Sequence, residues 1–266
     1  MESRKKILLT GGTGTIGRML HIHLGPYFDV HAPTSRQLDL SDKDSVTSFF
    51  QGEDSYFDIV IHCAVKGAND VRCNDYIIAQ QNLLMYFNLS TMSNHFGKLI
   101  NIASGCELGY DIPDHVSHVS ISEDSLYRSV PTYPYGLSKN IIARDVLTHK
   151  NWFNLRLWGI KAETRIFKKL WDYYENGDKE FIIDQDKYQD YISEQQFVNV
   201  VKYFICNDNT SLPNDVNVVP FYKKKVSDVV REYIEEFALD MEVRVTGESP
   251  YSYYGNGLLL QGLNIL

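Results

Sequence analysis

Short apolar runs alternate with segments of helical spacing along most of the chain. The runs predict strands at 6–10, 28–32, 57–63, 98–103, 153–158 and 216–219. The segments between them predict helices at 18–24, 41–50, 75–94, 134–149, 194–206 and 225–238, the second of them capped by Ser41. Residues 57–63 (FDIVIHC) are almost unbroken in apolar character, which is typical of a parallel strand covered on both faces. This alternation predicts an α/β fold built on a doubly wound parallel sheet.

The pattern weakens beyond about residue 160. Residues 161–190 are polar with charged runs, and residues 251–266 are rich in Tyr, Gly and Leu without predicting a definite element. A chain of 266 residues can hold one large α/β domain, or one domain with a small appendage. We therefore expect a regular first part followed by a smaller and less regular second part.

Composition and charge argue against several classes of function. The net charge of −8 disfavours a nucleic-acid groove, and no apolar run approaches the roughly 20 residues that span a bilayer. The apolar run at 7–9 is too short for the core of a signal peptide. No His, Cys or Asp cluster has the spacing of a metal site, so we expect no metal. The four cysteines lack a C-x-x-C pair, which favours free thiols in a cytoplasmic protein.

A glycine-rich turn directly follows the first predicted strand and directly precedes the first helix. Its three glycines have the spacing G-x-x-G-x-x-G, at Gly11, Gly14 and Gly17. Glycines let the backbone approach a pyrophosphate closely, and the N-terminus of a helix offers free N–H groups to it. The turn predicts a dinucleotide site formed by these glycines with Thr15 and Ile16; a glycine turn without a ligand is the alternative.

The end of the second predicted strand bears on which dinucleotide binds. An acidic residue there would suit the ribose of NAD, but residues 33–36 read Pro-Thr-Ser-Arg. Hydroxyls with a guanidinium suit a 2′-phosphate, so Ser35 and Arg36 favour NADPH, with NAD as the alternative cofactor. Arg36 could equally be a solvated surface arginine. Asp39 and Leu40 are placed to meet the adenine, although Asp39 could instead cap a helix.

The segment 133–139 (YPYGLSK) holds a tyrosine four residues before a lysine. In a chain with 18 tyrosines this pair alone could be chance. A phenol has an ordinary pKa near 10, and an ammonium one helical turn away would lower it. Together with Ser104 at the end of a preceding strand, Tyr135 and Lys139 form a possible acid/base unit. Tyr133 is the weaker donor, because Pro134 separates it from the helix.

Four stretches, of which 133–139 is one, carry a resemblance to a family. They are 60–70 (VIHCAVKGAND), 79–88 (AQQNLLMYFN), 101–110 (NIASGCELGY) and 133–139. With these motifs the chain resembles the extended short-chain dehydrogenase/reductases, the group of nucleotide-sugar epimerases, dehydratases and reductases. Its likeness is greatest to enzymes of the GDP-L-fucose synthase and dTDP-4-dehydrorhamnose reductase kinds. The resemblance covers roughly residues 6–160 and is faint beyond.

This resemblance implies a fold, a division of the chain and further site residues. It implies a Rossmann-type NADP-binding domain over 1–160, with Ser104, Tyr135 and Lys139 as catalytic residues. Residues 161–266 would form a reduced substrate-binding lobe, with 190–220 returning to the sheet. Ala64 and Lys139 would also contact the cofactor, and Asn82 would be a structural asparagine. A homodimer would form through the helices predicted at 75–94 and 134–149.

The resemblance also implies a function. The enzyme would reduce a nucleotide-activated 4-keto-6-deoxy sugar with NADPH, in the synthesis of surface polysaccharides or deoxysugars. A 4-epimerase with tightly held NAD would use the same trio and is one alternative. A non-catalytic NADP-binding sensor or scaffold is another, although such a protein has no need of an acid/base unit.

Cys106 raises the question of epimerisation. In enzymes like fucose synthase, a cysteine two residues after the serine is an acid/base residue, so the resemblance makes Cys106 a catalytic candidate; a buried thiol without a role is the alternative. A partner histidine is expected near 161–170, where none occurs, and His149 lies too early. We therefore expect simple ketone reduction. Sugar dehydratases place an Asp-Glu pair directly after the catalytic hydroxyl residue, but Glu107 lies one place late.

Several other polar residues are weaker candidates. His62 is expected to be a packed core residue, and Asp190 a structural one. The run at 223–225 (KKK) is expected to be a solvated start of a helix, with attraction of a nucleotide phosphate as the alternative. Three basic residues are candidates for the substrate diphosphate by position alone: Arg165, Lys168 and Lys169.

Overall fold

A computed structural model of the chain describes residues 4–52, 56–67, 75–109, 120–128, 130–161, 165–207 and 209–265. The first part contains β1 (Lys6–Thr10), α1 (Thr15–Leu24), β2 (Asp29–His31), α2 (Lys43–Phe50), β3 (Phe57–His62), α3 (Tyr76–Ser90), β4 (Phe96–Ser104), α4 (Pro134–Val146) and β5 (Trp152–Leu157). The second part contains β6 (Ile160–Lys161), α5 (Arg165–Glu175), β7 (Glu180–Ile183), β8 (Ile192–Ser193), α6 (Glu194–Cys206), β9 (Asp215–Val218), α7 (Val226–Glu236), β10 (Glu242–Val245) and α8 (Leu258–Gly262). Short 3₁₀ turns lie at Ser93–His95, Gly105–Leu108, Glu123–Tyr127 and Asn209–Ser211.

The central sheet has six strands in the order β2-β1-β3-β4-β5-β9, and every neighbouring pair is parallel. The predicted α/β fold with a doubly wound parallel sheet is therefore confirmed. The strand order reverses between β1 and β3, where the chain turns from one edge of the sheet toward the other. In open sheets of this kind, ligands bind in the crevice at the carboxyl ends of the strands beside such a reversal.

Helices cover both faces of the sheet, which explains why its strands are apolar on both sides. On one face α1 and α6 pack against the strands through residues such as Leu20, Phe197 and Phe204. On the other face α2, α3 and α4 contribute Phe50 and Tyr86, among others. The sheet is thus the middle of three layers, and its carboxyl edge carries the loops of the candidate site.

The second part of the chain has its own apolar core beside the sheet. β7 and β10 form a two-stranded parallel sheet, and α5 and α7 pack on it through residues such as Phe167, Phe181 and Val230. Residues 161–190, for which the sequence analysis predicted no element, contain α5 and β7, and α5 carries a regular apolar face between its charges. β8, α6 and β9 lead back to the main sheet, where β9 pairs with β5 at the edge.

The N-terminal cap of α2 differs by one residue from the predicted one. The cap of α2 is Asp42, whose carboxylate accepts the N–H of Asp44, and not Ser41. An aspartate one residue closer to the helix is better placed to reach that free N–H. In the part of the chain that the structure describes, none of the helices is both long enough and apolar enough to cross a membrane.

Candidate active site

The glycine turn forms a closely packed link between β1, α1 and the loop after β3. Gly11 has φ +70°, and a Cβ there would lie 2.7 Å from the backbone nitrogen of Ala64. A Cβ on Gly17 would lie 2.2 Å from the carbonyl oxygen of Gly11. Both positions need glycine for space, and Gly11 needs it for its conformation as well. The N–H groups of the first turn of α1, which follows Gly14, have no partners within the helix and are available to an anion.

A cavity of about 640 Å³ opens at this turn, beside the reversal of strand order. Most of the residues predicted to bind the cofactor line it, namely Gly11, Gly14, Thr15, Ile16, Gly17, Ser35, Asp39, Leu40 and Ala64. The size of this cavity and the free N–H groups fit the pyrophosphate of a dinucleotide. We call the glycine turn that shapes the cavity, Gly11 to Gly17, the cofactor cradle. Arg36 is exposed and does not line the cavity, so the structure does not bring its side chain together with the others.

Lys66 lines the same cavity and was not singled out from the sequence. It lies on the loop after β3, and the side-chain amide of Asn82 makes two hydrogen bonds to its backbone. The oxygen of that amide accepts the N–H of Lys66 at 2.8 Å, and its nitrogen donates to the carbonyl of Lys66 at 3.1 Å. Asn82 is therefore a structural residue, as expected. The sequence did offer a signal for Lys66. It is a basic residue just after a predicted strand that lies beside the reversal of strand order.

Asp39 does not cap a helix. Its carboxylate accepts the N–H of Ser41 at 2.9 Å and the hydroxyl of Ser41 at 2.6 Å. These bonds, with a smaller effect of Lys66, lower the pKa of Asp39. The carboxylate is thus ionised at the rim of the cavity, where it can accept a hydrogen bond from a ligand.

A second cavity of about 540 Å³ adjoins the first and holds the predicted catalytic residues together. Ser104, Cys106, Tyr135 and Lys139 all line it. The two cavities have four lining residues in common: Thr15, Ile16, Cys63 and Val65. A ligand in the first cavity would therefore lie at the boundary with the cavity that holds the predicted catalytic residues.

Tyr135 lies in the first turn of α4, which Pro134 opens, and is only 6% exposed. Burial raises the pKa of its phenol, the nearby Cys106 raises it further, and a hydrogen bond with the Ser104 side chain lowers it in part. We expected the pKa of Tyr135 to be lowered, but it is raised, because desolvation of the phenol outweighs the hydrogen bond with Ser104. The phenol is held protonated, which suits a proton donor.

Lys139 follows one turn later on α4 and is buried. Its ammonium donates to the carbonyl of Ile102 in β4 at 2.8 Å, which fixes the side chain under the catalytic cavity. Burial lowers the pKa of Lys139, and the charge of Glu107 opposes that effect. His62 is buried nearby, its Nδ1 lying 2.9 Å from the hydroxyl of Thr10, and burial lowers its pKa to about 3. His62 is thus the neutral core residue that we expected.

The turn that carries Ser104 and Cys106 is held by a buried ion network. The hydroxyl of Ser104 accepts the N–H of Cys106 at 3.3 Å, and the carboxylate of Glu107 accepts the N–H of Ser104 at 3.2 Å. Glu107 also pairs with the fully buried Arg156 of β5, which makes two 2.8 Å bonds to Asp215 of β9. Glu107 therefore has a structural role, which agrees with our expectation that it is not the acid of a dehydratase.

Cys106 has its thiol toward the cavity and its backbone toward α4. Its Sγ lies 3.4 Å from the hydroxyl of Tyr253, and its carbonyl accepts the hydroxyl of Tyr133 at 2.6 Å. Tyr133 therefore supports the turn and is not the residue that α4 presents beside Ser104. A Cβ on Gly105 would lie 2.6 Å from the Tyr253 hydroxyl, so glycine is needed there for this close contact.

Side chains from the second part of the chain complete the catalytic cavity, and the sequence analysis missed them. They are Lys187, Gln189, Tyr191 and Tyr253, with Trp158 from the end of β5. Isolated backbone bridges join Gln189 to Tyr253 and Tyr188 to Lys225, so distant segments meet here. No local pattern marks these residues, since their proximity depends on tertiary pairing.

The remaining basic candidates fall elsewhere. Lys223 is not simply solvated, since it pairs with the buried Asp190 at 2.8 Å. Asp190 also accepts the N–H of Gly255 at 2.9 Å and is structural as expected; burial raises its pKa to about 6. Lys168 and Lys169 do not line the cavities described here. The side chain of Arg165 lies outside the described residues.

A third cavity of about 620 Å³ continues from the catalytic one, with which it has Gln189 and Tyr191 in common. Lys161, Lys224 and the exposed ring of Tyr222 line it on the side of the second part of the chain. It offers cations and aromatic surface next to the catalytic residues. Among the described residues, no group of three or more His, Cys, Asp or Glu side chains could hold a metal ion.

Comparisons with known proteins place this geometry in a context. The model of the NAD-dependent epimerase/dehydratase family matches residues 7–164. A GDP-mannoheptose C4 reductase from Campylobacter jejuni with NADP bound is 18% identical, with a TM-score of 0.81 over 99% of this chain and 93% of that chain. A dTDP-4-dehydrorhamnose reductase from Clostridium acetobutylicum is 18% identical, with a TM-score of 0.79 over 97% and 92%.

A UDP-glucose 4-epimerase from Thermus thermophilus in complex with NAD is 19% identical, with a TM-score of 0.74 over 98% of this chain and 93% of that chain. At these identities the similarity of the structures establishes the fold. No curated protein matches the sequence.

Proposed function

Because the chain belongs to the NAD-dependent epimerase/dehydratase family, we propose that it is an NADPH-dependent reductase of a nucleotide-activated 4-keto-6-deoxy sugar. The broader class, an NAD(P)-dependent enzyme acting on a nucleotide sugar, follows from the family and from neighbours that include NADP- and NAD-bound enzymes. The substrate, the direction of the reaction and NADPH are our proposal. Its setting would be the synthesis of surface polysaccharides or deoxysugars.

One observation carries the proposal most strongly. Ser104, Tyr135 and Lys139 line a single cavity that borders the dinucleotide cradle through Thr15 and Cys63. A proton donor next to a hydride source is the arrangement that reduction of a carbonyl requires. A sensor or scaffold protein would have no use for a buried phenol and ammonium held in this way.

The roles of the three side chains follow from their contacts. NADPH, when bound, supplies a hydride to the carbonyl carbon. The hydroxyl of Ser104 donates to the carbonyl oxygen and orients it. Tyr135, whose pKa burial raises, gives that oxygen a proton as negative charge develops on it. Lys139, which is fixed by the carbonyl of Ile102 and lines the same cavity, would stabilise with its positive charge the phenolate left after the transfer.

The preference for NADPH rests on basic groups near the end of β2. Ser35 lines the cofactor cavity, Arg36 lies exposed beside it, and Lys66 lines it from the loop after β3. We propose that the 2′-phosphate binds between Ser35 and Arg36, since a guanidinium pairs with phosphate through two hydrogen bonds. Asp39, ionised at the rim, is placed for the adenine.

The cavity beside the catalytic one is suited to the nucleotide half of the substrate. Lys161 and Lys224 would meet the diphosphate, and Tyr222 offers a ring on which a base can stack. Both lysines also face Glu232, at 3.6 Å from Lys161 and in a short contact with Lys224. A diphosphate would therefore compete with that carboxylate for the two cations.

A homodimer through α3 and α4, the helices predicted at 75–94 and 134–149, is the quaternary structure that we propose. Ile77 and Leu84 lie seven residues apart on α3 and are 62% and 44% exposed, with Tyr76 and Phe87 also exposed nearby. We expect wild type to sediment as a dimer and the double variant I77E/L84E as a monomer. The matched control is I22E on α1, where Ile22 is 65% exposed outside this face. A monomeric wild type would contradict the proposal.

The function is tested by NADPH oxidation with GDP-, dTDP- and CDP-linked 4-keto-6-deoxy sugars. We expect at least one sugar to be reduced, and Tyr135→Phe to lower kcat by about 10²- to 10⁴-fold, the range for loss of a general acid. The control Tyr133→Phe removes only the hydrogen bond to the Cys106 carbonyl and should lower kcat less than about tenfold. Equal effects of the two variants would contradict the role of Tyr135.

The second candidate is the NAD-dependent 4-epimerase, which the same trio would serve and which the similarity to an NAD-bound 4-epimerase favours. It would oxidise and re-reduce one carbon without net consumption of cofactor. A purified protein that retains NAD and interconverts 4-hydroxy sugars without NADPH would establish this alternative instead.

A further inference from the structure

A second phenol lines the catalytic cavity and has no role in the proposed reduction. Tyr253, from the second part of the chain, lines this cavity together with Tyr135. Its side chain is buried, and its hydroxyl lies 3.4 Å from the sulfur of Cys106. A hydroxyl group is therefore present beside the turn that carries Ser104, in addition to the two hydroxyls that act on the carbonyl.

The side chain of Tyr253 is held in place from several sides. Its ring lies against that of Trp158, with 4.8 Å between the ring centroids. A Cβ on Gly105 would lie 2.6 Å from the hydroxyl, so the turn leaves room for this phenol only because that residue is glycine. The N–H of Tyr253 donates to the carbonyl of Tyr188 at 2.8 Å, and its carbonyl accepts the N–H of Asp190 at 3.1 Å. A hydroxyl fixed in this way loses little entropy when a ligand binds to it.

A series of contacts places this hydroxyl relative to the groups that hold the carbonyl. Tyr135 and Ser104, which donate to the carbonyl oxygen in the proposed reduction, are hydrogen-bonded to each other. The hydroxyl of Ser104 accepts the N–H of Cys106 at 3.3 Å, and Tyr253 contacts the sulfur of that same cysteine. The hydroxyl of Tyr253 thus comes next in order after the pair that holds the carbonyl.

The proposed sugar has a hydroxyl that suits this place. In a 4-keto-6-deoxy sugar the carbonyl carbon has two neighbours, C3 and C5, and of these only C3 carries a hydroxyl. A hydroxyl taken out of water needs a polar partner. The described residues that line the cavity include no Asp or Glu, so neutral or cationic side chains must meet the hydroxyls of the sugar. A phenol can both donate a hydrogen bond and accept one.

We propose, as an extension that rests on the proposed function, that Tyr253 binds the C3 hydroxyl and selects 4-keto sugars that retain it over 3-deoxy sugars. The phenol donates to the C3 oxygen in place of the Cys106 sulfur, which is a weak acceptor. Two neighbouring oxygens of the sugar are then held at once, the carbonyl by Ser104 and Tyr135 and the C3 hydroxyl by Tyr253. With a 3-deoxy sugar, the buried phenol keeps only its contact with the sulfur.

The first test measures binding without turnover. The protein is saturated with NADP⁺, which cannot reduce a ketone, and is titrated by calorimetry with GDP-, dTDP- and CDP-linked 4-keto-6-deoxyglucose and with the 3-deoxy analogue of each. Wild type should bind the 3-hydroxy sugar of the best pair about tenfold more tightly than its 3-deoxy analogue, the upper end for one neutral hydrogen bond. Tyr253→Phe should bind the two with nearly equal affinity, because it loses affinity only for the 3-hydroxy sugar.

Tyr254→Phe is the matched control. It removes a phenol hydroxyl from the next residue, which is also buried but does not line the catalytic cavity. This variant should keep the tenfold preference of wild type. Thermal unfolding shows that both variants are folded, and the preference of wild type is measured without any variant.

The second test separates binding of the sugar from proton transfer. In assays of NADPH oxidation, Tyr253→Phe should raise KM for the 3-hydroxy sugar about tenfold and change kcat less than about threefold, because Ser104, Tyr135 and Lys139 remain. Its kcat/KM for the 3-deoxy sugar should equal that of wild type. A fall in kcat as large as that of Tyr135→Phe would assign Tyr253 to the proton transfer and overturn its role in selection.

The outcomes distinguish this proposal from the reductase function. Equal affinities of wild type for the two sugars, a preference that Tyr253→Phe keeps, or one that Tyr254→Phe also loses, overturns the role of Tyr253. Oxidation of NADPH with either sugar would still support the reductase. If the sugars bind with the expected preference and none is reduced, the reductase proposal fails and the role of Tyr253 is supported. If none of the sugars binds, both proposals fail.

Discussion

The cofactor cradle and the catalytic cavity lie side by side but are built in different ways. The cradle is made of backbone from one short segment, where Gly11 and Gly17 leave room that no side chain could occupy. The catalytic cavity is made of side chains from segments as far apart as Ser104 and Tyr253. The first therefore has a local signature, while the second depends on how the second part of the chain packs.

The largest loss of stability is expected from breaking the ion network that ties the turn after β4 to the strands β5 and β9. Arg156→Met should lower the free energy of unfolding by about 3–5 kcal/mol, because it leaves Glu107 and Asp215 as buried charges without a partner. Chemical denaturation measures the change. The control Arg231→Met removes only an exposed pair with Asp228 and should change stability by less than about 1 kcal/mol. Similar values for both variants would contradict the structural role of the ion network.

A pH-dependent effect is expected at Asp190, which ties the segment of Tyr253 to the rest of the site. Its pKa is raised from an ordinary 3.8 to about 6, so between these pH values the folded chain binds more protons than the unfolded one. Stability should thus fall by about 2 kcal/mol from pH 4 to pH 6 through this group, and become level only above about pH 7.

Asp190→Asn removes that dependence while keeping an acceptor for the N–H of Gly255. Denaturation at several pH values should show the variant gaining stability relative to wild type as the pH rises from 4 to 6. A difference that is constant with pH, or one that changes in the opposite direction, would mean that Lys223 and not burial controls Asp190.

Even a methyl group in the cofactor cradle should lower stability and cofactor affinity. Gly17→Ala places a methyl group 2.2 Å from the Gly11 carbonyl oxygen, and the backbone must move to relieve the contact. We expect a loss of about 1–3 kcal/mol in stability and a matching loss of NADPH affinity, measured by thermal unfolding and fluorescence titration. Gly262→Ala has no atom within 4 Å of its Cβ and should change neither by more than about 1 kcal/mol.

The smallest effect is expected on the preference for NADPH over NADH, and it should show which of two basic residues near the cofactor cradle, Arg36 or Lys66, binds the 2′-phosphate. Arg36→Met should raise KM for NADPH about fivefold without raising KM for NADH, since an exposed charge pair is worth about 1 kcal/mol. Lys66→Met should change the preference less than Arg36→Met if Lys66 serves the pyrophosphate common to both cofactors. The reverse order would assign the 2′-phosphate to Lys66.

The contrast between cradle and cavity also explains what the sequence could and could not predict. The strands, the glycine turn and the Tyr135/Lys139 spacing were readable because each depends on neighbours within a few residues. The pKa of Tyr135 was misjudged, because burial is a property of the folded chain. The position of Lys187 in the wall of the catalytic cavity was invisible for the same reason, since it depends on packing against the start of α7.

The most direct test of the reductase proposal follows the hydride itself. NADPH carrying deuterium at both C4 positions is supplied with the keto sugar, and the sugar product is weighed by mass spectrometry. Reduction predicts one deuterium at the former carbonyl carbon of every product molecule, and almost no product from Tyr135→Phe. A product free of deuterium, formed without consumption of NADPH, would contradict the proposal and favour the epimerase.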